Sequence, residues 1–182
     1  MGDYYQNRNR YGKYKGAGNF PKDFIREIVD YTYQKDAYMG QRVEGDYLIA
    51  YLVEKARGFV YLQDGIKVFH TPQKENAYIG IAVHSASDLN FIKELTVIIT
   101  VLDEMGKSIG RHQHLYHPRP GLHHYGMNWV LPGDGLYTIR VYIENPNFQS
   151  GANMNGVRSK EFVQVEFPHV LIQAGQQFSL PG

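Results

Sequence analysis

The sequence predicts an all-β protein: an immunoglobulin-like antiparallel β-sandwich, preceded by a Tyr-rich N-terminal arm and one short helix. Three observations support this fold class. Short apolar runs separated by Gly, Pro, Asn and Asp recur along residues 36–182, as they do in sandwiches. No alternation of strands with helices follows residue 35, which argues against a parallel α/β fold. The apolar fraction of 43% is that of a globular chain.

The first 35 residues differ from the rest. Residues 1–22 are rich in Tyr, Asn, Arg, Lys and Gly and carry almost no aliphatic side chains, so they are expected to form an arm. Pro21–Lys35 is predicted to be a helix, because its proline suits a first helical turn and its apolar residues lie on one stripe: Phe24, Ile25, Ile28 and Val29. The predicted division is therefore an arm and helix over 1–35 and a sandwich over 36–182.

The remaining predicted elements are strands. Asp64-Gly65 is a two-residue hairpin signal between two apolar runs. Strict alternation over Leu136–Ile143 predicts that Tyr137, Ile139, Val141 and Ile143 share one face. The predicted strands are, in order, Tyr47–Val53, Phe59–Leu62, Ile66–Phe69, Tyr78–Val83, Leu95–Leu102, Met127–Leu131, Leu136–Ile143, Glu161–Phe167, Val170–Gln173 and Gln177–Leu180.

Composition excludes several classes of function. The chain has no Cys, so disulfides, zinc–thiolate sites, iron–sulfur clusters and thiol catalysis are excluded. Its 19 Lys and Arg nearly balance its 18 Asp and Glu, so no nucleic-acid partner is expected. No apolar run approaches the ~20 residues of a membrane span. No signal-peptide pattern follows Met1, which fits either an intracellular protein or a mature exported one.

The histidines are the most unusual feature of the sequence. Five of the eight fall within Gly110–Gly126, where two prolines and a glycine predict a loop that doubles back. Imidazole ligands suit copper, nickel, zinc and ferrous iron, so converging histidines predict a transition-metal site. His84, at a predicted strand end, is expected to join from across the sandwich. The candidate metal ligands are His124, His117, His114, His112, His123 and His84.

No enzyme is predicted. The sequence has no nucleophile elbow, phosphate-binding loop or H-E-x-x-H motif. An alternative hypothesis is an enzyme that does redox chemistry at a histidine-bound metal. No residue of the sequence indicates a substrate for it. A pH-sensitive interface is another reading of the histidines, because imidazole titrates near neutrality.

Several segments together resemble a known family. His124–Asn128 reads H-Y-G-M-N and is followed by Gly-Leu-Tyr at residue 135. The chain thereby resembles the periplasmic ferrous-iron-transport and copper-binding proteins, homodimeric immunoglobulin-like sandwiches that work beside FTR-type iron permeases. Weaker matches to the same family are Phe59–Gln63, Leu95–Leu102 and Gly156–Phe167. The resemblance covers residues from about Tyr38 to the C-terminus.

The resemblance transfers the metal site only in part. It implies that His124 is a metal ligand, as the histidine of the family's H-Y-G motif is. His117 stands where the family has a methionine that serves copper. Two further ligand positions of the family fall on Tyr78 and Gly80 in one register, or on Gly80 and Ala82 in another. The family's histidine from the neighbouring subunit has no counterpart in Asn147–Arg158.

Two hypotheses of different classes follow. The first is a protein that binds a divalent transition metal, copper or iron with zinc as a further candidate, through its His-rich loop. By resemblance it would be an accessory to iron or copper uptake, a periplasmic or extracellular homodimer with a membrane permease as partner. The second is a self-assembling extracellular structural sandwich, in which the arm of residues 1–22 engages a neighbouring subunit.

Overall fold

The computed structural model describes residues 38–63, 66–117, 123–145 and 162–176. Within these ranges the protein consists of strands and connecting loops, and contains no helix. The strands are β1 (Tyr38–Glu44), β2 (Tyr47–Glu54), β3 (Phe59–Gln63), β4 (Ile66–His70), β5 (Ala77–Ser85), β6 (Thr96–Leu102), β7 (Ser108–Gln113), β8 (Leu115–His117), β9 (His124–Trp129), β10 (Gly135–Glu144) and β11 (Phe162–Ile172).

The strands form two main sheets and a hairpin. One sheet has the order β1-β2-β5-β9-β8, the other has the order β11-β10-β6-β7, and β3 pairs with β4. Every pair of neighbouring strands is antiparallel. The all-β, antiparallel part of the prediction is therefore confirmed. Three predictions lie outside the described residues: the helix over Pro21–Lys35, the arm and the domain division at residue 35. The immunoglobulin-like connectivity stays a prediction.

The core lies between the two main sheets. Alternate residues of β2, β5 and β9 meet alternate residues of β6, β10 and β11 there. The alternation predicted for β10 is confirmed, because Tyr137, Ile139, Val141 and Ile143 are all buried. Strands β2 and β5 are buried along almost their whole lengths, so their second faces are covered as well. These second faces carry the polar residues discussed below.

A turn that begins at Asp103 follows β6. The carboxylate of Asp103 accepts hydrogen bonds from the backbone N–H groups of Met105 (3.0 Å) and Lys107 (2.8 Å). Gly106 closes the turn with φ of 78°, a conformation that glycine adopts without steric cost. Membrane-spanning helices are absent from the described part of the chain.

Several strand boundaries differ from the prediction. The two strands predicted over Glu161–Gln173 are one strand, β11, interrupted by a bulge. The bulge falls at Pro168, which has no N–H for the ladder, and at His169, whose φ is 56°. Strands β1, β7 and β8 were not predicted, because their short or polar sequences show no clean alternation. The predicted strand Gln177–Leu180 and the turn at Asp64-Gly65 lie outside the described residues.

Candidate metal centre

Strand alternation places one group of polar residues on the outer face of the five-stranded sheet. On β9, Tyr125 and Trp129 point into the core, so His124, Gly126 and Asn128 face outward. Gly126 of β9 pairs with Gly80 of β5. On the other side of β9, His124 pairs with His117 of β8. The H-Y-G-M-N motif thus contributes its first, third and fifth residues to one surface.

His117 and His124 are the two predicted ligands that the fold brings together. They are direct cross-strand partners in β8 and β9. Their rings stack with centroids 5.4 Å apart and an interplanar angle of 25°. Both side chains are buried, with 5% and 2% of their surface exposed. Of the six predicted ligands, these two are therefore direct neighbours across the β8–β9 pair.

The surroundings of His117 favour its neutral form. Burial lowers the pKa of His117, and the nearby charge of Arg57 acts in the same direction, against the opposing effects of backbone hydrogen bonds to Gly126 and Val60. The His117 Nε2–H donates a hydrogen bond of 3.0 Å to the Gly126 carbonyl. The neutral imidazole is the form that can bind a metal ion.

Tyr78 packs against His124 because the sheet contains glycine at two positions. The Tyr78 hydroxyl lies 2.8 Å from His124 Nε2. A Cβ built at Gly126 would overlap the Tyr78 hydroxyl, so only glycine permits this ring position. A Cβ at Gly80 would lie 3.0 Å from the Cδ2 atom of His124. The two glycines therefore leave the space that the side chains of Tyr78 and His124 occupy.

Arg57 completes this group from the loop between β2 and β3. Its guanidinium lies over the Tyr78 ring, 4.2 Å from the centroid, and forms an ion pair with the buried carboxylate of Glu54. Its Nη2 lies 3.4 Å from His124 Nε2. Because arginine can only donate hydrogen bonds, this contact assigns His124 Nε2 as an acceptor and places the ring proton on Nδ1.

Asn128 fixes the backbone of Arg57. The Arg57 N–H donates to Asn128 Oδ1 at 3.2 Å, and Asn128 Nδ2 donates to the Arg57 carbonyl at 2.8 Å. The side-chain amide thus imitates a strand neighbour. The last residue of the H-Y-G-M-N motif therefore positions Arg57 beside the first.

The β3–β4 hairpin covers the pair from outside. Phe59 of β3 contacts the edge of His117, with ring centroids 4.7 Å apart, and lies 5.9 Å from the Tyr78 ring. The pair is consequently enclosed between an aromatic side chain and the sheet. Enclosure of this kind strengthens every electrostatic interaction among the groups inside it.

His112 and His114 lie elsewhere, which corrects the expectation that their end of the segment joins His124. Both flank Trp129, whose Nε1–H donates to His114 Nε2 at 3.1 Å. Burial lowers the pKa of His114 to about 3. The reason for the separation is that β7 pairs with β6, in the other sheet, instead of belonging to a loop.

His84 and His123 form a third group. His84 lies in the same sheet as His124, so it does not reach across the sandwich as expected. It donates from Nδ1 to the Leu89 carbonyl at 2.8 Å, and burial lowers its pKa. Both rings contact Phe91, with centroids 5.5 Å and 5.6 Å away. The six predicted ligands are thus divided among three places.

A metal ion would find two imidazoles and one phenol at the His117–His124 pair. Across the described ranges, no group of three or more His, Cys, Asp or Glu side chains is arranged to hold a metal ion. Sequence reasoning named the two histidines as candidate ligands and placed Tyr78, in one register, where the similar family has a ligand. It missed Arg57, Glu54 and the clamping role of Asn128, since nothing in the local sequence of the β2–β3 loop marks a partner so far along the chain.

Comparison with known proteins identifies the fold. No protein-family model and no curated protein matches the sequence. Solved structures do match. FetP of uropathogenic Escherichia coli strain F11 has a TM-score of 0.52 at 15% identity, over 73% of this chain and 94% of its own. Copper-reconstituted P19 of Campylobacter jejuni has a TM-score of 0.52 at 16% identity, over 72% and 94%. The likeness shows that this chain shares their fold.

Proposed function

We propose that this protein binds a copper ion at the His117–His124 pair. The observation that carries the proposal is the stacked, buried pair of imidazoles on β8 and β9, 5.4 Å apart. Burial favours the neutral form of His117, and the lone pair of His124 lies on Nε2, the nitrogen at which an ion would have to replace the contacts of the Tyr78 hydroxyl and Arg57. Tyr78, whose hydroxyl oxygen lies 2.8 Å from His124 Nε2, is the third proposed metal ligand.

Copper is the metal we propose for this donor set. Imidazole nitrogen suits copper, and copper(II) stands highest in the affinity order of the divalent first-row metals. The named proteins that share the fold include a copper-reconstituted P19 and a copper-bound FetP variant. When bound, the ion would supply affinity for further ligands or a redox centre. The chain itself would hold it, exclude water through Phe59 and orient His124 through Tyr78.

The proposal is tested by metal loading of matched double variants. Wild-type protein is incubated with copper, desalted and analysed for bound metal. We expect about one copper per chain, the stoichiometry of a single site. His117→Gln with His124→Gln should lose it. The control, His112→Gln with His123→Gln, removes two exposed histidines and should retain it. Equal copper content in both double variants, or none in the wild type, would overturn the proposal.

The location, oligomeric state and partner of the protein are proposed from the fold and the family resemblance together. We place the protein outside the cytoplasm, as a binding protein and not an enzyme, and as a homodimer that serves metal uptake with a membrane permease. In support, the FetP that shares this fold was expressed in the periplasm of E. coli for its structure. Light scattering on purified protein tests the dimer, and fractionation of the native cells tests the location. A monomer or a cytoplasmic fraction would contradict the respective part.

A further inference from the structure

The five-stranded sheet carries apolar side chains on its outer face as well as on its core face. On β2, Ile49 points into the core, so Leu48, Ala50 and Leu52 face outward. Ala82 of β5 pairs with Ala50 and extends this outer apolar face to a second strand. Strands that are apolar on both faces are typical of sheets that are covered on both sides. The sequence of β2 therefore indicates a further layer over the outer apolar face.

The outer apolar face is covered by the chain itself. Leu48 is fully buried, and Ala50, Ala82 and Leu52 expose 4%, 6% and 7% of their surface. The structure contains a single chain, so this burial does not come from a second subunit. Val43, the β1 partner of Leu48, is 51% exposed. The cover therefore lies over β2 and β5 and, at this end of the sheet, stops before β1.

The β3–β4 hairpin accounts for another part of the outer face. Its Phe59 lies against Tyr78 and His117. Tyr78 pairs with Glu54 at one end of β2. Leu48 lies near the other end, about 20 Å away along the strand. A further segment of the chain is therefore needed over the Leu48 end of the face.

The segment that precedes β1 fits this requirement by its sequence. Its apolar residues lie on one stripe at helical spacing: Phe24, Ile25, Ile28 and Val29. A helix over Pro21–Lys35 would be about 22 Å long, against about 27 Å for the eight residues of β2. Two residues separate Lys35 from Tyr38, the first residue of β1, so the segment leads directly to this sheet.

The other stretches outside the described ranges fit less well. Residues 64–65, 118–122 and 177–182 are too few to cover two strands, and residues 146–161 are mostly polar and show no apolar stripe. We propose that the segment Pro21–Lys35 packs its apolar stripe on the outer apolar face, as a third layer supplied by the same chain. The opposite side of the segment, with Asp23 and Asp30, then faces solvent. This inference does not depend on copper binding.

The test uses single introduced thiols, because the chain has no Cys of its own. Ala50→Cys places a thiol under the proposed cover, and Ala77→Cys places one in the core between the two main sheets. Labelling by a maleimide in native buffer is timed for each, alone and combined with Ile25→Asp and Ile28→Asp. Charges on the stripe should detach the segment and leave the sandwich folded. We expect Ala50→Cys to be labelled faster by about tenfold or more, and Ala77→Cys at its original rate.

The matched control is Asp23→Asn with Asp30→Asn, which changes the opposite side of the same segment and should alter neither labelling rate. An unchanged rate for Ala50→Cys in the stripe variant overturns the proposal. Should that variant unfold, as shown by fast labelling of Ala77→Cys, a crosslink decides. A bismaleimide should join Ala50→Cys to Ile28→Cys within one chain, and should not join Ala50→Cys to Asp30→Cys. No link to Ile28→Cys, or a product with the mass of two chains, overturns the proposal, the latter because a second copy then supplies the cover.

Discussion

Buried His114 should make the protein lose stability in mild acid. Burial lowers its pKa from the ordinary 6.5 to about 3, and the Trp129 indole donates to its Nε2. Below pH 6.5 the unfolded chain takes up a proton here that the folded chain refuses, so the stability is present above that pH and is lost as the pH falls. The difference between 6.5 and about 3 corresponds to about 5 kcal/mol in total, or about 1.4 kcal/mol per pH unit.

The assay is urea unfolding between about pH 4 and 7.5, followed by the fluorescence of the single tryptophan. His114→Gln keeps an acceptor for the indole and removes the titration. We expect its free energy of unfolding to fall less steeply with acid than that of the wild type, by about 1.4 kcal/mol per pH unit. Burial also lowers the pKa values of His84 and His117, but both remain in each protein and cancel. His112→Gln is the control for fluorescence changes, since its ring also contacts the indole. Parallel pH dependences for wild type and His114→Gln would refute the reasoning.

Three further predictions concern the candidate site. In Gly126→Ala the new methyl group overlaps the Tyr78 hydroxyl, so urea unfolding should show a loss of about 1–3 kcal/mol; wild-type stability would contradict it. In Asn128→Ala the Arg57 N–H loses its acceptor, so its amide hydrogen should exchange faster than in the wild type; unchanged exchange would contradict the clamp. Copper at a free concentration of 100 times its dissociation constant should raise the free energy of unfolding by about 2.7 kcal/mol, and by none in His124→Gln; equal stabilisation of both would place the ion elsewhere.

The sequence predicted those strands in which the burial of one face imposes an alternation of apolar and polar residues. Strand β10 alternates because one of its faces lies in the core, and the alternation over Leu136–Ile143 identified both the strand and the buried side chains. Strand β7 escaped prediction because it is an edge strand with an exposed, polar sequence. Strand β8 escaped because three residues are too few for a period, and it is a strand only through its pairing with β9.

Only the part of the candidate site that a local sequence pattern marks could be predicted. His124 was identified by a local motif, and His117 by its spacing from that motif. The contacts of Tyr78 and Arg57 with His124 span 46 and 67 residues of sequence. They depend on the register of β5 against β9 and on the path of the β2–β3 loop. No local pattern carries that information, so Arg57 gave no signal, and Tyr78 was named only because a ligand position of the similar family falls on it in one register.

The shortness of β8 has a consequence for how this protein tolerates insertions and deletions. Successive residues of a strand point to opposite faces, so a register slip of one residue would turn His117 away from His124 and bring Tyr116 to the outer face. A three-residue ladder offers little resistance to such a slip. The length of the connection from His117 to His123 is therefore part of the site. Sequence changes there that leave the sandwich intact can still separate the two imidazoles.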